Sequence, residues 1–308
     1  MAARWAQDGA LLAVGETMAM IAPVRAERVE EAEVFLVDAG GAESNVAAHV
    51  AALGHEARWF SRLGDDALGR RVAAQLAARG IDVSGVVYDS DRPTGLYVKD
   101  PGRGVVYHRR GSAASHLSVE DVGLVGLDGV GILHVSGITA ALSSTAAAFL
   151  DHLIDRARRA GVTISIDMNH RASLWRPGGA APALDALARR ADVLFTGRDE
   201  AEELWATPSA LDVRRRFPDV PEVIVKDGEV GATAFLGGEA TFEPSERVDV
   251  VDAVGAGDAF AGGYLAARLS GAPVADRLRS GHLRAALTLR TTGDSLHESA
   301  ALRERIGR

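Results

Sequence analysis

The sequence predicts an α/β protein with a doubly wound, mostly parallel sheet, helices on both faces of that sheet, and a small second β-sheet. Strand-like apolar runs alternate with helix-like runs along most of the 308 residues, and strands that alternate with helices pair in parallel. Two stretches, about residues 17–38 and 92–110, are extended without helical periodicity, so they predict the second sheet. The whole chain, residues 1–308, is predicted to form one domain.

Strand and helix signals follow one another in order along the chain. The predicted strands cover residues 11–15, 58–63, 132–136, 162–167, 192–196 and 222–226. The predicted helices cover residues 44–53, 66–79, 143–160, 199–205, 259–269 and 275–290. Ser44 is a candidate N-cap of the first helix, and Gly80 ends the second. The alternating residues 247–251 are interpreted as a strand directly before the helix that starts at residue 259.

The second of the two helix-free stretches contains a hairpin signal. Two short β-like runs, residues 95–98 and 105–108, are joined by Asp100-Pro101-Gly102-Arg103-Gly104, a turn-forming segment. A sheet that projects from the main domain can act as a lid that keeps water out of a site. The alternative is a purely structural edge or a dimerisation sheet.

Composition excludes several classes of protein and site. The net charge of −8 and the pI of about 5.6 argue against a general nucleic-acid binder. The absence of cysteine excludes disulfides, thiolate metal sites and a cysteine nucleophile. No apolar run approaches the ~20 residues of a membrane span, and no secretory signal is evident, so we expect a cytosolic protein without a membrane partner. The P-loop, Gly-x-Ser-x-Gly and zinc-ligand spacings are missing.

The most informative segment is Asp252-Ala253-Val254-Gly255-Ala256-Gly257-Asp258-Ala259-Phe260. Gly255 and Gly257 let the backbone approach a phosphate closely, and the N–H groups at a helix start bind anions. Asp258 would stand beside that anion site, where it could orient or deprotonate an attacking hydroxyl. This arrangement is typical of phosphoryl transfer to an alcohol. The candidate catalytic residues are therefore Gly255, Ala256, Gly257 and Asp258.

This segment has two other interpretations. Gly-x-Gly before a helix can be only a tight turn, and an acidic residue in a first helical turn is favourable for electrostatic reasons alone. A dinucleotide-binding fingerprint fits badly, because Phe260 occupies the position of its third glycine.

Polar groups elsewhere could form a ligand site. Gly41 follows another glycine before a helix and allows close backbone approach, and Asn45 offers donors and acceptors. Tyr97, Tyr107 and Arg109 lie on the hairpin and would suit a polyhydroxylated anion. The alternatives are an ordinary capped helix start for the first pair and a solvated strand face for the other three.

Three further segments follow predicted strands, at the edge of the sheet where α/β folds bind ligands. Arg171, in Asp167-Met168-Asn169-His170-Arg171, could bind a carboxylate or phosphate in bidentate fashion, or could lie in a surface turn. Glu200 opens a helix and could hold a water of Mg²⁺, or could simply favour the helix dipole. Residues 226–232 form a glycine turn compatible with a nucleotide.

In this order, the motifs resemble those of the ribokinase-like (PfkB) carbohydrate kinases over nearly the whole chain. The carriers are Gly40-Gly41 with Asn45, Gly64-Asp65-Asp66 with Gly69, and Asp252 to Asp258. The resemblance implies a doubly wound domain with a β-sheet lid, and transfer of the γ-phosphoryl group of ATP to a sugar hydroxyl with Mg²⁺. It also implies that Asp258 is the catalytic base, that the amides of residues 255–257 form the anion hole, and that Asp294 lies near the substrate.

Within this family the chain most resembles the 2-keto-3-deoxygluconate kinases. The carriers are Gly41-Ala42-Glu43-Ser44-Asn45, Gly95-Leu96-Tyr97, Tyr107-His108-Arg109, His134 to Thr139, and Asp167 to Arg171 with Leu174-Trp175. The resemblance implies that Tyr97, Tyr107, Arg109 and Arg171 contact a keto-sugar acid. A substrate carboxylate suits arginine, which a neutral sugar would not require.

The resemblance also implies a set of nucleotide contacts. The residues concerned are Asn169, Gly197, Lys226, Gly228, Gly231 and His282, with Glu200 reaching Mg²⁺ through water. Gly197 and His282 depart from the asparagines that the family often has at these positions. A monovalent cation and a homo-oligomer formed through the lid are further expectations.

The expected function is therefore ATP-dependent phosphorylation of the terminal hydroxyl of 2-keto-3-deoxygluconate. One alternative is a neutral-sugar kinase of the same family, such as a fructokinase or ribokinase. Another is a sugar-binding regulator without turnover. The sequence leaves open the choice between the gluconate and galactonate epimers.

Overall fold

The computed structural model describes residues 9–25 and 27–290. Their strands are β1 (Ala10–Val14), β2 (Met18–Pro23), β3 (Phe35–Gly40), β4 (Ala57–Phe60), β5 (Arg62–Gly64), β6 (Ile81–Asp82), β7 (Val87–Asp89), β8 (Leu96–Asp100), β9 (Gly104–His108), β10 (Val130–Ser136), β11 (Thr163–Asp167), β12 (Val193–Gly197), β13 (Glu222–Asp227), β14 (Gly231–Leu236) and β15 (Glu239–Pro244). Their helices are α1 (Ala42–Ala52), α2 (Ala67–Ala78), α3 (Gly137–Leu142), α4 (Ser144–Arg159), α5 (Ala180–Ala188), α6 (Arg198–Trp205), α7 (Ala210–Arg216), α8 (Ala256–Leu269) and α9 (Val274–Leu289).

The main sheet has nine strands in the order β15-β14-β13-β12-β11-β10-β1-β4-β6. Strands β13 to β6 in this order are parallel, and β14 and β15 extend the sheet as an antiparallel edge. Successive residues of each central strand face opposite cores. Leu12 packs with α4, α5 and α7 on one face, whereas Leu11 packs with α1, α2, α8 and α9 on the other. The predicted doubly wound parallel sheet is confirmed.

Strand order places the crevice of this fold at the end of β1. In the sheet, β4 and β6 lie on one side of β1, whereas β10 to β13, which come later in the chain, lie on its other side. Ligands of open parallel sheets bind where the strand order reverses, beyond the carboxyl ends of the strands. The residues after β1 and β10 therefore border the crevice.

A second sheet, called the small sheet below, has four strands in the order β3-β2-β8-β9. Strands β8 and β9 form the predicted hairpin, and β2 pairs with β8 in parallel. Met18, Met20 and Tyr97 are buried together on one of its faces. The extended character of both predicted stretches is confirmed.

Two local predictions are wrong. Residues 247–251 form no strand, because they have no ladder partner, Val250 and Val251 are exposed, and the Val251 N–H donates to the Leu289 carbonyl at the end of α9 (2.7 Å). Alternation alone therefore does not identify a strand when no neighbouring strand pairs with it. Ser44 is not the N-cap of α1, because that helix begins at Ala42 with Gly41 as its cap, and the Ser44 hydroxyl donates back to the Gly41 carbonyl (3.1 Å).

Other boundaries shift by a few residues. The predicted strand 58–63 is divided into β4 and β5. The elements α3, α5, α7, β6, β7, β14 and β15 were not predicted. No helix in the part of the chain that the structure describes is long and apolar enough to cross a membrane.

Candidate active site

The segment around Asp258 is a sharp turn that leads directly into α8. Gly255 is the N-cap and has φ of 82°, a left-handed conformation that favours glycine. The helix begins at Ala256, so Asp258 lies in its first turn. The first amides of a helix have no partner within it and carry the positive end of the helix dipole. The turn therefore offers an anion site with a carboxylate beside it.

Two asparagines hold the carboxylate of Asp258. Asn45 on α1 donates from Nδ2 to one oxygen (2.9 Å), and Asn169 after β11 donates from Nδ2 to the other (3.2 Å). Asn169 has a positive φ of 40°, a conformation that asparagine tolerates better than most residues. The Oδ1 atoms of both amides are buried and have no partner among the described residues, so both can accept a hydrogen bond from a ligand hydroxyl.

Burial raises the pKa of Asp258 to about 7. The negative charge of Asp167 also raises this pKa. The Asn45 hydrogen bond and the positive charges of Arg171 and Lys226 lower it, because they stabilise the ionised carboxylate. A carboxylate with a pKa near 7 is well matched to accept a proton from a hydroxyl at neutral pH.

Three charged side chains meet beyond the ends of neighbouring parallel strands. Lys226 at the end of β13 donates to Asp167 at the end of β11 (2.6 Å). Burial alone would lower the pKa of Lys226, but the charges of Asp167 and Glu200 outweigh it and raise that pKa. Lys226 also lies at the anion turn, because a Cβ on Gly257 would stand 3.5 Å from its Nζ. A fixed cation thus borders the turn.

The carboxylate of Glu200 closes the start of α6. It accepts from the backbone N–H of Gly197 (2.8 Å) and of His170 (3.1 Å). Burial raises the pKa of Glu200, and the charge of Lys226 partly opposes that shift. Among the described residues, no group of three or more His, Asp or Glu side chains could hold a metal ion by itself. The carboxylates of Glu200 and Asp167 are oxygen donors of the kind that divalent cations such as Mg²⁺ prefer.

The remaining nucleotide candidates lie near one edge of the main sheet. Gly228 and Gly231 bound the β13–β14 turn, with φ of 49° and 147°. His282 on α9 packs edge-on against Phe260 (ring centroids 5.1 Å apart), and its Nε2 donates to the Glu243 carbonyl (3.0 Å). Burial lowers the pKa of His282, so the ring is neutral at pH 7.

Across the crevice, an ion pair joins the main sheet to the chain just beyond β9. Arg109 donates from Nε to Glu16 Oε2 (2.6 Å), and its Nη2 contacts the same oxygen. The Ser112 hydroxyl donates to the other oxygen, Oε1 (2.5 Å). Glu16 is 2 % exposed, so this carboxylate is buried with both oxygens occupied. Sequence analysis missed Glu16, although its position just after β1 is the signal that could have found it.

The predicted hairpin residues do come together. The rings of Tyr97 and Tyr107 lie 5.7 Å apart, and the Arg109 guanidinium lies 5.7 Å from the Tyr107 ring centre. Arg171 lies exposed on the other side of the crevice, where its charge acts on Asp258. Asp294 falls outside the described residues.

A second buried carboxyl, Glu43, fills the space under the crevice. Its Oε1 accepts from the hydroxyls of Ser136 (2.6 Å) and Thr139 (3.0 Å). Burial raises the pKa of Glu43. Gly15 must be glycine here, because a Cβ would lie 2.1–2.4 Å from the Glu43 carboxyl group.

Comparison with known proteins agrees with this geometry. A model of the pfkB family carbohydrate kinases matches residues 9–300. The chain belongs to that family. Among the relatives of this pfkB kinase, the 2-dehydro-3-deoxygluconokinase of Bacillus subtilis is 38 % identical over 91 % of this chain and 89 % of its own. The 2-dehydro-3-deoxygalactonokinase of Haloferax volcanii is 35 % identical over 92 % of both chains.

A solved structure of the same family has the same fold. The 2-dehydro-3-deoxygluconokinase of Thermotoga maritima superposes with a TM-score of 0.85 at 27 % identity, covering 94 % of this chain and 95 % of that one. The predicted family and fold are confirmed.

Proposed function

We propose that this pfkB kinase transfers the γ-phosphoryl group of ATP to the terminal hydroxyl of 2-keto-3-deoxygluconate. The observation that carries the proposal is Asp258, held by two asparagines beside the anion turn with a pKa of about 7. The 2-dehydro-3-deoxygluconokinase and 2-dehydro-3-deoxygalactonokinase relatives, 38 % and 35 % identical to this chain, support a 2-keto-3-deoxy sugar acid as the acceptor.

In this mechanism Asp258 accepts the proton of the acceptor hydroxyl, whose oxygen attacks the γ-phosphorus. Asn45 and Asn169 each hold one oxygen of the carboxylate, and this would keep Asp258 oriented toward the acceptor hydroxyl. The bond from the γ-phosphorus to the bridging oxygen breaks, and ADP leaves.

The chain supplies fixed positive charge where negative charge accumulates on the transferred group. The amides of Gly255, Ala256 and Gly257 would face the phosphoryl oxygens, and Lys226 lies beside them. Gly228, Gly231 and His282 would line the nucleotide. A Mg²⁺ would supply further charge neutralisation, held through water near Glu200 beside the Gly197 cap.

We propose that Arg109 and Arg171 bind the substrate carboxylate, while Tyr97, Tyr107 and the backbone at Gly41 line the sugar. One feature favours a second candidate, a neutral-sugar kinase. Arg109 is already paired with Glu16, so its charge is balanced before any acid binds. Arg171 would then carry most of the selectivity for an acid.

The deciding experiment measures ADP release with Mg²⁺-ATP across 2-keto-3-deoxygluconate, its galactonate epimer, fructose, ribose and no sugar. We expect turnover with the keto-acids alone. Turnover with a neutral sugar instead would show that the proposed substrate is wrong and that the protein is still a sugar kinase. An absence of sugar-dependent ADP release in the whole panel would contradict the proposed function. Self-association through the small sheet and monovalent-cation dependence stay predictions, which sedimentation and potassium titration can check.

A further inference from the structure

The chain uses lysine only twice. Its 34 basic residues are 32 arginines and two lysines, Lys99 and Lys226. Lys226 lies at the anion turn, paired with Asp167. Lys99 lies far away in the sequence but reaches the same turn from the other side, and the mechanism above does not use it.

Lys99 belongs to β8 of the small sheet. It is two residues from Tyr97, so both side chains lie on the buried face of that strand, and Lys99 is 7 % exposed. Its Nζ donates to Asp252 Oδ2 (2.7 Å), a residue 153 positions away on the other side of the crevice. A buried ammonium stays charged only with a partner of this kind.

Asp252 in turn shapes the segment that leads into the anion turn. Its second oxygen, Oδ1, accepts from the backbone N–H of Val254 (2.9 Å), directly before the left-handed Gly255. The preceding residues 245–250 have no strand partner. One carboxylate therefore fixes the local turn with one oxygen and the small sheet with the other.

We propose that Lys99 is a positioning residue that couples acceptor binding under the small sheet to nucleotide binding at the anion turn. The proposal rests on the proposed kinase function and adds a route between its two substrates. An acceptor bound against the small sheet would stabilise the position in which Lys99 holds Asp252, and Asp252 in turn would keep the turn residues 254–257 set for phosphate. Each substrate then raises the affinity for the other by the same factor.

The main test compares the Kd of a non-hydrolysable ATP analogue with and without saturating 2-keto-3-deoxygluconate, by calorimetry. In the wild type we expect about 5-fold or tighter binding with the sugar acid, the lower end of typical coupling. In Lys99→Met, which keeps the apolar stem, the ratio should fall to about 1, and Lys99→Arg should restore part of it. The matched control is Arg103→Met, which removes an exposed ion pair with Glu30 on the same sheet and should leave the ratio unchanged.

A second measurement follows the wild-type protein and needs a variant only to assign its signals. Protein labelled with ¹³C at lysine should give only two side-chain signals, which Lys99→Arg assigns. We expect the Lys99 signal to shift on addition of the sugar acid alone and of the nucleotide alone.

Full coupling in a folded Lys99→Met protein, or a Lys99 signal that neither ligand moves, would overturn the role of Lys99 and leave the kinase intact. An absence of turnover in the wild type would contradict the proposed kinase function, and the proposed coupling with it. Failure of the kinase function is therefore distinguishable from failure of the role of Lys99.

Discussion

The two sides of the crevice are built in different ways. The nucleotide side takes Asp167, Glu200 and Lys226 from the ends of β11, β12 and β13 or the helix that follows, neighbours in one parallel sheet. The acceptor side takes Glu16 from the end of β1 and Arg109 from the chain that follows β9, 93 residues later. One side is fixed by the register of the main sheet, whereas the other exists only when two sheets meet.

Asp258 stands between them and is held by one asparagine from each side. Asn169 follows β11 on the nucleotide side, and Asn45 lies on α1 at the acceptor side. The proposed base is therefore held by hydrogen bonds from both halves. If Asp258 is the base, we expect an incomplete acceptor side to hold it less well, which would disfavour phosphoryl transfer to water.

The largest expected effect comes from removing the group that both sides hold. Asp258→Asn should lower kcat for the sugar acid by roughly 10²–10⁴-fold, because an asparagine amide cannot accept the hydroxyl proton. Steady-state ADP release gives the number. A variant with an unchanged circular dichroism spectrum and near-normal turnover would contradict the role of Asp258 as base.

Sequence alone identified the elements that are local in the chain. The glycine turn, Asp258 and the helix start lie within nine residues, so their spacing is readable. The sequence also predicts where the residues of the nucleotide side lie, since parallel strands that alternate with helices place their carboxyl ends at one edge of the sheet. These parts of the prediction depend on near neighbours in sequence or on sheet order.

The hairpin residues of the acceptor side were accessible from the sequence, but the contacts that join the two sheets there were not. Nothing near Glu16 in the sequence indicates that it pairs with Arg109, and nothing near Lys99 points to Asp252. Both contacts depend on how the small sheet sits over the main sheet, which hydrophobic periodicity does not encode. The false strand at residues 247–251 has the same cause, because a strand needs a neighbour that the local pattern cannot show.

A difference in packing density between the two sides can be tested with matched glycines. A Cβ on Gly15 would press on the buried Glu43 carboxyl, which Ser136 and Thr139 hold in place. A Cβ on Gly197 would meet the exposed Asp199 side chain (2.6 Å), which can turn away, and would lie 3.3 Å from the Glu200 side chain. Gly15→Ala should therefore reduce the free energy of unfolding by roughly 1–3 kcal/mol, and Gly197→Ala by about 0.5 kcal/mol or less.

Urea unfolding of the two variants measures this contrast. The double variant Gly15→Ala/Glu43→Ala should lose less stability than the sum of its single changes, since the clash is gone. Equal losses at Gly15 and Gly197, or strictly additive effects, would show that the Glu43 carboxyl is free to move.

The acceptor side can be dissected with two variants that share one change. Arg109→Met leaves the buried Glu16 carboxylate without its cation, so KM should rise for any sugar. Arg109→Met/Glu16→Gln removes that unpaired charge. In the double variant, KM for a neutral sugar should recover, whereas KM for the keto-acid should stay raised by roughly 10- to 100-fold, the loss of one charged hydrogen bond. Recovery for both substrates would mean that Arg109 supports Glu16 and does not bind the acid.

The smallest expected effect is a pH-dependent gain in stability in Asp258→Asn. The folded pKa of Asp258 is raised to about 7, whereas the unfolded value is about 3.9. Between these values the folded state binds more protons than the unfolded state, so this group makes the wild type less stable as pH rises from about 4 to about 7.

Asparagine at position 258 does not titrate, and the amide of Asn169, whose Oδ1 has no partner among the described residues, can rotate to donate or accept a hydrogen bond. Thermal unfolding should therefore show the variant and wild type closest near pH 4 and the variant about 2–4 °C higher at pH 8. Glu43 and Glu200 also have raised pKa values, but they are present in both proteins and cancel in the difference. A constant Tm difference between pH 4 and pH 8 would place the Asp258 carboxylate in a better-solvated setting than the crevice between the two sheets provides.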